Sequence, residues 1–187
     1  MNWYLGEKQV CPPLKKDFYI TKSATEIAKL IRTKKLTSYE VAKAYIDRVL
    51  EVNGLLNAVL DGPFMEALSE AETIDERISK GEISDEEFDS KPFLGVPFTT
   101  KDSTAVKGKL YTFCILARRN VRATEDAECV KLMKEAGAII IATTNIPEVN
   151  KWYVIHFNFS IYKFKKRRKS IAVLLYSSSI YLSNVSQ

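Results

Sequence analysis

Ala138-Ile139-Ile140-Ile141-Ala142 is a continuous apolar run with no polar alternation. A strand with one wet face alternates, so this run reads as a strand covered on both faces, as in a parallel sheet. Working outward, Gly137 closes the preceding pattern, an expected helix over 125–136 with Cys129, Leu132, Met133 and Ala136 facing inward. Further back, Leu94-Gly95-Val96-Pro97-Phe98-Thr99-Thr100-Lys101-Asp102 reads as a strand entering a loop. Strand, helix and buried strand make a βαβ-like unit with other helices packed around it, which sets the class as α/β.

The upstream half is helical. Ser23-Ala24-Thr25-Glu26 fits a capping box, serine at the cap and glutamate three residues on, and opens a helix over 24–34. Thr37-Ser38-Tyr39-Glu40 is a second such box. Behind it, Val41, Tyr45 and Val49 form one stripe, and Ala42, Ile46 and Leu50 a neighbouring one, with Asn53-Gly54 as the expected stop. A short strand is expected over Leu56–Leu60, then a turn at Asp61-Gly62-Pro63 and a helix over 64–80. Residues 82–90, with Glu82, Asp85, Glu86, Glu87 and Asp89, read as an acidic loop.

Charge divides the chain. Residues 151–187 hold seven Lys/Arg and no Asp/Glu, whereas residues 1–150 hold 21 basic and 23 acidic residues. The overall +5 therefore belongs to the last stretch, and the body offers no case for nucleic acid, which is not expected as a partner. Cys11, Cys114 and Cys129 form no CxxC pair and no disulfide framework, which favours a reducing compartment. The single His156 leaves the body without a Ser-His or Cys-His pair and argues against a zinc site; no metal or cofactor is expected. Met1–Val10 has no apolar core of signal-peptide kind, and no stretch reaches the ~20 apolar residues of a membrane span. The expected location is intracellular, cytoplasmic or membrane-associated.

Gly95-Val96-Pro97-Phe98-Thr99-Thr100-Lys101-Asp102 resembles the lysine motif of the amidase signature family. Lys107-Gly108 follows at the family's spacing. Asp126-Ala127, Val130, Leu132 and Glu135-Ala136-Gly137-Ala138 resemble its next helix, and Thr144-Asn145-Ile146-Pro147-Glu148 its TN..E element. Upstream, Thr37-Ser38, Val41, Ala44-Tyr45-Ile46, Arg48, Val52-Asn53 and Leu56-Asn57-Ala58-Val59 resemble the opening helices of the fatty-acid amide hydrolase branch, as does Trp152-Tyr153. The resemblance covers about residues 11–153.

The resemblance implies a Ser–cis-Ser–Lys triad that hydrolyses small amides or esters: one serine attacks, a second relays the proton, and the lysine is the base. Lys101 is then the catalytic residue. Read without the motif, it is a surface lysine at a strand end. An amine working as a base near neutral pH must be neutral there, which burial and uncharged neighbours favour. Thr99, Thr100 and Ser103 suit that; Asp102 opposes it if its carboxylate approaches the amine. Cys114 stands where relatives usually carry a small Gly or Ser, with the bulky Phe113 beside it, and Cys114 reads as an inert thiol.

The family's serines lie in a Gly/Ser-rich stretch beyond the TN..E element. This sequence has no glycine after Gly137, and Ser177-Ser178-Ser179 lies among Leu175, Tyr176 and Ile180. Without glycine the backbone does not readily form the tight turn and the N–H cradle that such a nucleophile needs. The expectation is thus a truncated amidase-signature fold, N-terminal helices plus the first strands of a mixed sheet flanked by helices, inactive in this form. Its expected parts are an irregular segment over 1–22, a partial amidase domain over 23–153 and a poorly ordered basic and apolar tail over 154–187. The alternative is a non-catalytic fragment that binds a full-length relative, or an anionic membrane surface through Lys163–Lys169. The oligomeric state stays open.

Overall fold

The computed structural model describes residues 10–13 and 19–151. The expected tail over 154–187, with His156, Lys163–Lys169 and Ser177–Ser179, lies outside them. Among the described residues, five helices and three strands follow in chain order: α1 (Ala24–Arg32), α2 (Ser38–Leu56), β1 (Val59–Asp61), α3 (Phe64–Ser79), α4 (Asp85–Ser90), β2 (Pro97–Lys101), α5 (Glu128–Glu135) and β3 (Ile139–Thr144). Short 3-10 turns sit at Tyr19–Thr21, Leu116–Arg118 and Glu148–Asn150.

The sheet order is β1-β3-β2. β2 runs parallel to β3 and β1 antiparallel, so the sheet is mixed. Every residue of β3 is buried, which is why its sequence does not alternate. Ile139 and Ile141 pack toward α1, α2 and α3, while Ala138 and Ile140 face α5 with Phe98 and Val106. Two apolar layers thus sandwich one central strand.

Both capping boxes form. Ser23 and Glu26 satisfy each other's backbone N–H groups at α1, and Thr37 and Glu40 do the same at α2. A second device secures α2: the Asp75 carboxylate of α3 accepts from the N–H groups of Ser38 and Tyr39 at 2.7 and 2.8 Å. Burial pushes the Asp75 carboxyl above its ordinary range, against the pull of those two hydrogen bonds.

Four readings of the sequence need correction. First, α2 does not stop at Asn53-Gly54. It runs to Leu56 and ends at Asn57, whose φ of 47° is left-handed. The Asn53 side chain instead accepts from the N–H groups of Ala58 and Val59 at 2.9 Å each, so it pins the exit from the helix rather than ending it. Second, Leu50 lies outside the buried stripe, 61% exposed. Third, part of the acidic loop is helix α4. Ser84 caps it by accepting from the Glu87 N–H, and three acidic residues in its first turn suit the positive helix end. Fourth, α5 begins at Glu128 and turns a different face inward. Val130 is buried and Met133 packs beside it, while Cys129 and Leu132 are exposed. The cause lies just upstream. Asp126 accepts from the Lys107 N–H and pairs with Lys134, and the Ala127 N–H bonds to the Ala105 carbonyl, which sets the rotation of the helix.

Entry to β2 is a close backbone contact. The Gly95 N–H donates to the Gly137 carbonyl at 2.9 Å, and Ser38 Oγ donates to the Gly95 carbonyl at 2.8 Å. Gly95 and Gly137 both have positive φ. A Cβ on Gly137 would lie 2.7 Å from the Leu94 Cα, and no side chain can yield there. Gly137→Ala is therefore expected to destabilise the protein by about 2–4 kcal/mol. Gly54→Ala, in open space inside α2, should be neutral or stabilise by up to about 1 kcal/mol. Thermal unfolding of the pair checks this, and equal melting temperatures would contradict the packing described.

Candidate active site

Parallel strands carry their neighbouring loops to one end of the sheet, and α/β sites lie at the carboxyl ends of such strands. Here that end is built from Lys101 and Thr144. They are the last residues of β2 and β3 and stand opposite each other in the register. Thr144 Oγ1 donates to the Thr100 carbonyl, and the Asp102 N–H extends the ladder to the Thr144 carbonyl at 2.8 Å. Lys101 is half-buried. Thr99 beside it is buried, and Thr100 and Ser103 are half-buried.

The neighbouring carboxylate is the informative group. Asp102 is fully buried. Its oxygens accept from the Thr112 N–H at 2.8 Å, the Thr112 hydroxyl at 2.5 Å and the Cys114 N–H at 2.9 Å. Three donors satisfy a buried anion, as its burial requires. The condition left open by the sequence is thereby resolved. The Asp102 carboxylate is turned onto the Thr112–Cys114 loop and forms no ion pair with the Lys101 ammonium.

That loop is strained. Phe113 and Cys114 both have left-handed backbone, with φ of 55° and 53°. Such angles are costly for side-chain-bearing residues and persist only when surrounding bonds enforce them. Asp102 supplies part of that enforcement through the Cys114 N–H. The Phe113 carbonyl accepts from the Val149 N–H at 2.9 Å, and Val149 and Asn150 are left-handed as well. The positive φ gives a physical reason for a small residue at position 114. Cys114 itself is half-buried.

The TN..E element follows β3 directly. Its Asn145 has a structural duty: the side chain donates to the Asn57 carbonyl and the N–H to the Ala58 carbonyl, tying the end of β3 to the turn after α2. Glu148 lies in the 3-10 turn. The sequence reading placed Lys101 but missed the role of Asp102.

Lys101 is thus a half-buried lysine at the carboxyl end of a parallel strand, with a satisfied buried carboxylate beside it. The family model named Amidase matches residues 40–160. Fatty-acid amide hydrolase 2-A of Danio rerio is 40% identical over 135 residues, covering 72% of this chain and 25% of that protein. Human fatty-acid amide hydrolase 2 is 36% identical over 132 residues, covering 70% and 25%. A solved fatty acid amide hydrolase superposes with a TM-score of 0.63 at 25% identity, covering 72% of this chain and 23% of that one. The chain belongs to the amidase signature family, with similarity to its fatty-acid amide hydrolase type. It spans about a quarter of the length of the curated relatives it matches. Among the described residues, no helix is long and apolar enough to cross a membrane.

Removing the Asp102 carboxylate orphans the buried N–H and hydroxyl of Thr112 and leaves the Cys114 N–H only its 3.0 Å bond to Thr112 Oγ1. Asp102→Ala is expected to cost about 3 kcal/mol or more, with Asp102→Asn intermediate. Urea unfolding of both variants tests this. A cost below about 1 kcal/mol for Asp102→Ala would contradict the network.

Proposed function

We propose that Lys101 is the base of an amide-hydrolysing site of the Ser–cis-Ser–Lys kind, acting on fatty-acid amides, and that these 187 residues do not complete it. The observation carrying the reading is the placement of Lys101 at the carboxyl end of β2, half-buried, with the Asp102 carboxylate engaged elsewhere. A lysine base takes a proton from a serine hydroxyl, and among the described residues no carboxylate forms an ion pair with the Lys101 amine. The substrate class comes from the names of the two similar relatives. Thr144 and the strained Phe113–Cys114 loop lie at the same end of the sheet.

The serine half is the missing element. The attacking serine, its bridging partner and the N–H groups that stabilise an oxyanion come, in this family, from a Gly/Ser-rich stretch. No glycine follows Gly137 in this sequence. Residues 23–153 are accordingly read as the lysine-bearing portion of an amidase domain, while the family match itself runs on to residue 160.

Two measurements test the two halves of the proposal. Purified chain incubated with long-chain fatty-acid amides and esters should show no turnover that depends on Lys101. Turnover abolished by Lys101→Ala would refute the incomplete site. Residues 23–151 should also function in place of the matching segment of the Danio rerio relative. In that chimera Lys101→Ala should lower kcat/KM by ~10²–10⁴-fold. A folded, active chimera indifferent to Lys101→Ala would refute the role of Lys101.

A further inference from the structure

Between α1 and the segment from α4 to the start of β2 lies a cavity of about 340 Å³, large enough for a small ligand. Ala28, Phe88, Pro92 and Leu94 give it an apolar lining. Leu94 is buried and precedes β2, so the cavity lies at the opposite end of that strand from Lys101. Leu94 belongs to the main apolar core, and Ala28 and Phe88 pack against it, so the core fixes this part of the lining.

The charged part is held by ion pairs. Arg32, at the end of α1, reaches Asp85 at 2.9 Å and Asp89 at 2.5 Å, with its guanidinium 5.3 Å from the centre of the Phe88 ring. Lys91 pairs with Glu87 at 2.8 Å, and Arg77 of α3 pairs with the same carboxylate at 2.9 Å. Helix α4 is thus tied to α1 and to α3 and forms a clamped wall. Lys29 differs. It lines the cavity, is exposed, and forms no ion pair among the described residues. An apolar hollow with a few placed polar groups is the usual form of a small-molecule site. The unpaired Lys29 ammonium favours an anion there, and it would repel a cation, since the nearby carboxylates are already engaged. One point charge suits one carboxylate; a phosphate dianion would lack a second cation, because Arg32 and Lys91 are taken.

We propose that this cavity binds a small amphipathic monocarboxylate, its alkyl or aryl body against Phe88, Pro92 and Leu94 and its carboxylate at Lys29. The site is separate from Lys101 and does not depend on the hydrolytic reading. Octanoate is the probe, titrated into the full chain and followed by ligand-observed NMR. It should bind at one saturable site, and octylammonium, with the same chain and the opposite charge, should bind ~10-fold more weakly. Lys29→Gln should weaken octanoate ~3–5-fold and bring the two ligands together. Ala28→Phe fills the cavity from α1 and should abolish the binding of both, with circular dichroism to show that the variant is folded. Lys29 is exposed, so Lys29→Gln keeps the test decisive even where Ala28→Phe does not fold. No saturable octanoate binding would overturn the proposal. So would octylammonium binding as tightly as octanoate, or an octanoate affinity unchanged by Lys29→Gln.

Discussion

The backbone contact between residues 93–96 and 136–139 is the constraint on which the rest of the structure depends. Gly95 and Gly137 meet there with no room for a side chain, and the contact sets β2 and β3 side by side and parallel. From it follow the double-sided burial of β3 and the two apolar layers. The Ser38 hydroxyl, buried on α2, reads the same contact from outside by donating to the Gly95 carbonyl. This contact therefore joins the helices to the sheet at the opposite end of β2 from Lys101.

The carboxyl end of the sheet, where the proposed site lies, is organised by a different principle. Lys101 and Asp102 are neighbours in sequence, yet one side chain is half-buried at the strand end and the other is sequestered on a loop. Separation of an adjacent cation and anion is costly unless each finds other partners. Three donors from Thr112 and Cys114 provide them for Asp102. The same bonds stabilise left-handed backbone at Cys114, so one carboxylate both clears the neighbourhood of the amine and holds the loop that borders it.

What the sequence made legible is what is local or periodic. The capping boxes at Ser23 and Thr37 need four residues each, and both form. The unbroken run at Ala138–Ala142 announces its own burial. The lysine was singled out through a motif, since nothing in its own properties separates it from a surface lysine. What stayed hidden depends on partners far along the chain. The end of α2 turns on the Asn53 side chain reaching past the helix, and α4 on Ser84 capping a stretch whose charge resembles a loop. The rotation of α5 is decided by Lys107 and Ala105, some twenty residues away. Asp102 belongs to the same group, because its partners at 112 and 114 have no periodic relation to it.

The central claim is that the Asp102 carboxylate serves the loop and not the amine. Double-mutant cycles on folding stability measure it directly, with Lys101→Met, Asp102→Asn and Thr112→Val combined in pairs. The structure predicts a Lys101–Asp102 coupling within about 0.5 kcal/mol of zero and an Asp102–Thr112 coupling of about 1 kcal/mol or more. The reverse order would mean that Asp102 pairs with the ammonium and holds it protonated, and Lys101 would then be unsuited to act as a base.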